Sequence, residues 1–374
     1  MNKAYLIIDT SEGNADLFYK TRFFVPDPCI YIEHKRKKIL VLSDLEIDRG
    51  REEATVDKLI SFSEYIKKIP AAKRKKAGFA DIVDLIFKER KIKSAEVPGR
   101  FPIKYADQLR KLGYKIVPKK SEPFFEGRLK KHPHEVASLK QSLKWTADAM
   151  RVAVNIISLS KAKKNRLYFN GKVLTSEFIQ GEINSFLSKH GYTASHTIVA
   201  SGVQGSMPHH SGSGPIISGT PVVIDIFPRS QKTGYFGDMT RTIIKGEPSK
   251  ELKKMYSVVL KGQKIGIDMI KHGVNSKDVH NAIVDYFDKS GFKTAVIDGK
   301  QQGFIHSTGH GLGLEIHELP RVSKGDDVLE AGNVVTVEPG LYYEKLGGIR
   351  IEDVVLVTRT GCEVLSKFPK KFQV

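Results

Sequence analysis

The amino-acid sequence predicts an α+β protein in two domains, a smaller α/β domain over residues 1–128 and a larger one over 129–374 that carries an internal duplication. Three observations predict it. At 374 residues and 40% hydrophobic, the chain can bury more than one core and exceeds the roughly 100–200 residues usual for a single domain. Across KIVPKKSEPFFEGRLKKHPHE (115–135) the composition changes from Pro- and Lys-rich to a long amphipathic pattern. Two helix-like segments, 176–191 and 276–291, then align with each other, and each is followed by strand-like sequence bearing two carboxylates.

In chain order, AYLIID (4–9), CIYIEH (29–34) and KILVLSD (38–44) are apolar runs of strand length, and FADIVDLIFKERKIK (79–93) has a helical pattern. Beyond the linker, Val136, Leu139, Leu143, Ala147, Met150, Val154 and Ile157 recur at spacings of three and four behind Pro133, which predicts a long helix with one buried face. SEFIQGEINSFLSKHG (176–191) and SKDVHNAIVDYFDKSG (276–291) each open at a Ser cap and end at Gly, aligning Ile179 with Val279, Ile183 with Ile283 and Leu187 with Phe287. Asp225 and Asp238 follow the first segment, 13 apart, and Glu338 and Glu352 follow the second, 14 apart. Gly234, Gly237, Gly340, Gly347 and Gly348 punctuate these pairs, so each pair can project from a hairpin toward one point. Two such half-sites facing across a pseudo-two-fold make a carboxylate-rich pocket, with His310 as its nitrogen ligand.

The apolar setting argues for a cation there. Asp225 lies in PVVIDIF (221–227) and Glu338 in NVVTVEPG (333–340), runs that read as buried strands. A carboxylate so placed loses its hydration, and the loss is tolerable only with a compensating partner. Four carboxylates and one imidazole are too anionic for a structural zinc site and suit two divalent ions held close together, with manganese, cobalt, iron and zinc all compatible with the ligand type. Paired ions roughly 3.5–4 Å apart can activate a water and polarise a carbonyl, as amide hydrolysis requires. HExxH, GxSxG and GxxxxGK[ST] are all absent, and GHGLGL (309–314) lacks the preceding strand of a dinucleotide fingerprint.

The net charge of +19 raises the question of a nucleic-acid partner. Residues 1–130 hold 29 Lys and Arg against 19 Asp and Glu, so the excess is shared between both halves. The clusters HKRKK (34–38), KRKK (73–76) and KAKKNR (161–166) are not interleaved with aromatics, and no specific nucleic-acid partner is expected. Cys29 and Cys362 are the only cysteines and form no CxxC, so a reducing cytoplasm is the expected location. No run reaches the roughly 18 apolar residues of a membrane span, and no export signal is read at MNKAYLIIDT.

VVIDIF, GYFGDMTRT (234–242), HSTGHGLGLEIHELP (306–320), VVTVEPGLYY (334–343) and GIRIEDVVLVT (348–358), taken in order, resemble the successive signatures of the pita-bread metallopeptidases, most of all the proline-specific branch of Xaa-Pro aminopeptidases and Xaa-Pro dipeptidases. The resemblance extends over the whole chain, with PGRFP and FFEGRLKKHPHEV similar to the creatinase-like N-terminal domain of that branch. It implies a pita-bread catalytic domain, a homodimer, and proline-containing peptides or dipeptides as substrates. It further implies that Asp225 chelates one metal, that Asp238 and Glu352 bridge both, and that His310 and Glu338 complete the second, with Glu338 also the general base. His209, in MPHH, matches a histidine acting at the substrate amide, with His210 as its rival. His306 and His317 resemble histidines that stabilise the tetrahedral intermediate. Arg350 matches a site-supporting arginine, two residues from Glu352 and so on the same face of a strand. Tyr342 is open between a site role and core packing. One departure stands out: relatives commonly have a small residue at Phe227, and DIFPRSQKTGYFGD (225–238) is about two residues longer than usual, which puts the pocket wall in question. The rival readings are an inactive pita-bread protein that binds nucleic acid or protein, and a creatinase-like amidinohydrolase.

Overall fold

Strands come first because the N-terminal sequence alternates short apolar runs with turns. Six of them, β1 (Lys3–Asp9), β2 (Cys29–His34), β3 (Lys37–Leu42), β4 (Lys58–Ser61), β5 (Ser94–Val97) and β6 (Lys115–Pro118), form one mixed sheet in the order β4-β3-β2-β1-β5-β6. Ala4, Leu6, Ile7 and Ile8 are all buried, so β1 is covered on both faces, which is why it reads as a continuous apolar run. Six helices accompany the sheet: α1 (Ala15–Thr21), α2 (Ile47–Glu53), α3 (Phe62–Lys67), α4 (Ala71–Arg74), α5 (Phe79–Glu89) and α6 (Ile103–Lys111). α5 buries Ile82, Val83, Ile86 and Phe87, and the Asp81 carboxylate accepts the Gly78 N–H at its start. The HKRKK cluster is the turn of the β2–β3 hairpin: His34 pairs with Lys37, and Lys35 and Arg36 take left-handed φ values of 52° and 62°, as a tight two-residue hairpin requires.

The computed structural model describes residues 3–374 and divides the chain into two compact units, Met1–Arg128 and Leu129–Val374. The second unit opens with α7 (Pro133–Leu159), whose first residue is the proline and whose Glu135 accepts the His132 N–H at 2.9 Å. Leu139, Leu143, Ala147, Met150 and Ile157 are buried as the spacing predicts, whereas Val136 and Val154 are half-buried. A small meander of β7 (Lys161–Lys163), β8 (Arg166–Phe169) and β9 (Lys172–Val173) follows, and its first turn, with Lys164 and Asn165 at positive φ, holds the KAKKNR cluster.

The same plan is then built twice. α8 (Ser176–Lys189) joins α7 on a sheet of β11 (Ile198–Ser201), β12 (Pro221–Ile226) and β14 (Met239–Ile244), around Met150, Ile157, Ile179, Ile183, Leu187, Val222 and Ile224. α9 (Lys250–Met269) and α10 (Ser276–Lys289) pack on the second sheet around Val259, Val279, Ile283, Phe287, Val335, Val337 and Val355. That sheet runs in the order β18-β17-β19-β22-β23, with β17 (Gly309–Gly311), β18 (Glu318–Val322), β19 (Val334–Val337), β22 (Asp353–Val357) and β23 (Cys362–Val364). Pairs β10 (Tyr192–Thr193) with β13 (Arg229–Ser230), β15 (Ala295–Ile297) with β16 (Lys300–Gln302), and β20 (Gly340–Tyr343) with β21 (Gly347–Arg350) complete the unit. The α8 and α10 helices are each 14 residues long, but their caps lie one residue earlier than the sequence predicts. Thr175 Oγ1 accepts the Phe178 N–H and Asn275 Oδ1 the Lys277 N–H, while Ser176 and Ser276 are buried inside the first turn.

Candidate metal centre

The carboxylates sit where strand ladders let go. Asp225 is the fifth residue of β12 and faces Thr240 of β14, and Asp238 stands immediately before β14. In the second half Val337 pairs with Asp353, so Glu338 stands just after β19 and Glu352 just before β22. His310 is the middle residue of β17, held against β19 by a backbone approach that only glycine allows: a Cβ on Gly309 would lie 2.0 Å from the Thr336 carbonyl oxygen. Each strand thus supplies backbone bonds up to the site and a free side chain at it.

Asp238, His310 and Glu352 present ligand atoms within 4.8 Å of one another, and all three are buried. Glu338 Oε1 lies 3.2 Å from His310 Nε2, and Asp238 Oδ2 lies 3.7 Å from it. The opposite nitrogen of that ring, Nδ1, donates to the Gly311 carbonyl at 3.1 Å, which turns Nε2 toward the carboxylates. Asp225 is tied through Oδ2 to Arg350 Nη2 at 2.7 Å, while its buried Oδ1 has no hydrogen-bond partner. Arg350 is itself 3% exposed and donates also to Tyr342 Oη at 2.8 Å, Thr240 Oγ1 at 3.1 Å and the Pro208 carbonyl at 3.2 Å. Thr240 Oγ1 in turn donates to Glu352 Oε2 at 2.9 Å, so one threonine joins the two halves of the cluster. His306 donates from Nδ1 to the Ser307 carbonyl at 2.7 Å, and its Nε2 accepts from the Tyr342 hydroxyl at 2.9 Å.

Electrostatics show a site short of positive charge. Burial pushes the Asp238 and Glu352 carboxyls well above their usual range, and the neighbouring carboxylates push them further. Burial also raises Asp225, against the pull of Arg350. Burial works against the charge on Glu338 too, but the hydrogen bond and charge of His310 outweigh it and hold this carboxyl at about 2. Desolvation lowers the His306 ring to about 4, so it is neutral near pH 7. A buried carboxylate oxygen with no partner, beside acids that resist ionisation together, is the chemistry a divalent cation satisfies, and the donor set of oxygens and one imidazole fits such an ion.

All five of these residues line one cavity of about 590 Å³, together with His209, His306, His317 and Arg350. His210 does not line it: its Nδ1 accepts the Gly212 N–H at 2.9 Å within the loop. The His317 ring lies edge-on to that of His310, centroids 4.4 Å apart. Thr240, Arg321 and Ile198 were not singled out by the sequence. Thr240 carries a usable signal, two residues beyond Asp238 on an alternating strand, whereas Arg321 and Ile198 are marked only by the folded cavity.

Residues 137–359 match the model of metallopeptidase family M24. The chain is 30% identical over 338 residues to the Xaa-Pro dipeptidase of Pyrococcus horikoshii, a match covering 88% of this chain and 83% of that protein. Among solved structures it resembles an X-Pro aminopeptidase from Thermotoga maritima at a TM-score of 0.82 and 26% identity, covering 100% of this chain and 97% of that one. A similar likeness, TM-score 0.82 and 26% identity over 99% and 95% of the two chains, holds to an Xaa-Pro dipeptidase from Bacillus anthracis. Motifs, paired half-sites and full-length likeness agree, and the chain belongs to metallopeptidase family M24, a metal-dependent peptidase of the pita-bread fold.

Proposed function

We propose that the chain hydrolyses the peptide bond between an N-terminal residue and proline, and that it does so with two divalent cations, manganese first, held by Asp225, Asp238, His310, Glu338 and Glu352. The observation that carries this is the convergence of all five side chains, from two strand hairpins and β17, on one cavity. The cations would supply Lewis acidity to the scissile carbonyl and the attacking water. Glu338 accepts the proton of that water. His209 and His317, on the cavity wall, hydrogen-bond the substrate amide and the charge that develops on its oxygen. Arg350 acts through its neighbours. It holds Asp225 and the Tyr342 hydroxyl in place, and that hydroxyl orients His306.

The names of the relatives support proline as the second residue. Arg321 on the cavity wall favours a dipeptide over a longer peptide, because a guanidinium there suits a free carboxylate. Two unpaired thiols, Cys29 and Cys362, support a cytoplasmic location, and no helix among the described residues is long and apolar enough to cross a membrane. The resemblance supports a homodimer, and a creatinase-like domain over 1–128 preceding a catalytic domain over 129–374. One panel tests the activity: manganese-loaded protein on Gly-Pro, Ala-Pro, Ala-Pro-Ala and Ala-Ala. Turnover of the first two, lost on chelation, with about two ions bound per chain, is expected. Faster hydrolysis of Ala-Pro-Ala would make it an aminopeptidase, and equal turnover of Ala-Ala would remove the proline specificity.

A further inference from the structure

Behind the ligands lies a buried polar cluster that no catalytic step uses. Arg241, on β14, is 2% exposed, and its five N–H groups meet five acceptors. Nη1 donates to the Glu352 carbonyl and, at 2.9 Å, to that of Thr240. Nη2 donates to Asp353 Oδ1 at 2.8 Å and to the Phe368 carbonyl at 3.0 Å, and Nε to the Pro369 carbonyl at 3.2 Å. Asp353, itself buried, takes Lys370 Nζ on Oδ2 and, at 3.4 Å, Gln263 Nε2 from α9, which also donates to the Val337 carbonyl at 3.1 Å. Arg241 follows Asp238 by three residues, Asp353 directly follows Glu352, and Val337 directly precedes Glu338. One cluster therefore touches the segments that carry three of the ligands, although Arg241, Asp353, Gln263 and Lys370 do not line the cavity.

We propose that Arg241 is a positioning residue for the metal centre: through Asp353 and the Glu352 carbonyl it sets the direction of the Glu352 carboxylate, and the segment 368–374 holds Arg241 in place. This rests on the reading of Glu352 as a ligand given above. Glu352 stands just before β22, outside the strand ladder. Its N–H is given to the Thr240 carbonyl at 3.1 Å and its carbonyl accepts from Arg241, so the peptide groups on both sides of it are fixed by consecutive residues of the other half. Thr240 Oγ1 then fixes the rotation of the carboxylate. Ligands must be held within about 0.5 Å and 10–20° to act together, and where the ladder stops Arg241 supplies that precision.

The segment 368–374 is seated by contacts of its own. Phe372 stacks on Tyr256 of α9, ring centroids 4.4 Å apart. Its carbonyl accepts the Ile244 N–H at 2.7 Å, and the Val374 N–H returns to the Ile244 carbonyl at 3.0 Å, so the segment runs parallel to β14 beside Ile244. The Phe368 ring lies 5.9 Å from the guanidinium carbon of Arg241, and Lys370 completes the charge pairing of Asp353. A guanidinium is needed here because its planar fork meets acceptors on three separate stretches of backbone at once; a lysine ammonium offers three donors from one point. Cation affinity then depends on residues that never meet the cation.

The test measures Co(II) binding, by calorimetry and by visible absorption, in wild type, Arg241→Lys and Lys370→Met, with Leu187→Ala in the α8 core as a control destabilised elsewhere. Arg241→Lys keeps the charge beside Asp353 but loses the fork. It is expected to weaken Co(II) binding by roughly tenfold or more, to alter the absorption at saturation, and to lower kcat at saturating metal with KM little changed. Lys370→Met removes only the outer partner of Asp353 and should move Kd and absorption the same way by a smaller factor. Leu187→Ala should leave both as in wild type. If Arg241→Lys does not fold, Lys370→Met decides alone. Wild type that binds Co(II) but cleaves no Xaa-Pro peptide would sink the proline reading, while the binding comparison still decides the role of Arg241. Unchanged Kd and absorption in folded Arg241→Lys, or in Lys370→Met where it alone folds, overturn the assignment, as does an equal loss in Leu187→Ala.

Discussion

In the reaction proposed above, Glu338 carries two duties that one substitution separates. Glu338→Gln keeps the shape and one oxygen toward the site but removes the charge and the proton acceptor, so kcat should fall by roughly a hundredfold or more. Elemental analysis on the same sample checks that the metal remains; a variant within a few-fold of wild type while still loaded would assign the base to another group. His280 makes a different, pH-linked prediction. It is 2% exposed on α10, its Nδ1 faces Thr308 Oγ1 at 3.0 Å, and its Nε2 has no partner. Burial pushes its pKa from 6.5 down to about 4. Between those values the unfolded chain binds a proton that the native chain refuses, so stability is lost as pH falls from about 6.5 toward 4 and is unaffected by this group above that window. The loss is on the order of 2–3 kcal/mol. Denaturant melts of wild type and His280→Asn across that range should show the shallower acid slope in the variant; parallel slopes would refute the assignment.

At the scale of elements, the segment from β17 to β18 is held by a buried ion pair. Lys131 Nζ lies 2.7 Å from Glu318 Oε2, with both side chains under 5% exposed, and Glu318 Oε1 accepts the N–H groups of Leu314 and Glu315. Removing one partner strands a charge, which costs about 3–5 kcal/mol, whereas removing both costs much less. Glu318→Gln alone should therefore lower stability by that order, and Glu318→Gln with Lys131→Met should recover most of it, as chemical denaturation would show. An additive double variant would contradict the coupling. This pair also marks where sequence reading stops. Asp225 and Glu338 are legible because the cost of a carboxylate among Val and Ile is visible within seven or eight residues. The long helix and the α8–α10 repeat are legible from periodicity. Lys131 and Glu318 are 187 residues apart, and Thr240 meets Glu352 across 112, so only the fold discloses them. The helix caps slipped by one residue for a simpler reason: Thr175 precedes Ser176 and Asn275 precedes Ser276, and each pair offers two competent oxygens.

For the whole molecule, the charge of +19 is the broadest feature. The HKRKK and KAKKNR clusters fall in two-residue hairpin turns, a placement that suits solvation more than a continuous groove. Binding to DNA or RNA should accordingly be weak and should collapse between low and physiological salt, while peptidase activity persists. Sequence-selective binding at physiological salt, measured by fluorescence anisotropy, would contradict this. The unsatisfied Asp225 oxygen and the crowded acids around it have a further consequence, for how long each molecule survives. A cation that binds the native chain alone stabilises it by about 2.7 kcal/mol at a hundredfold excess over Kd. Loaded protein should then outlast the chelated form under trypsin, to which its 61 Lys and Arg offer abundant cleavage points. Equal half-lives would refute the link. Where it holds, a cell short of the ion would clear the idle enzyme by ordinary protein turnover, and the amount kept would follow the mineral supply with no dedicated regulator.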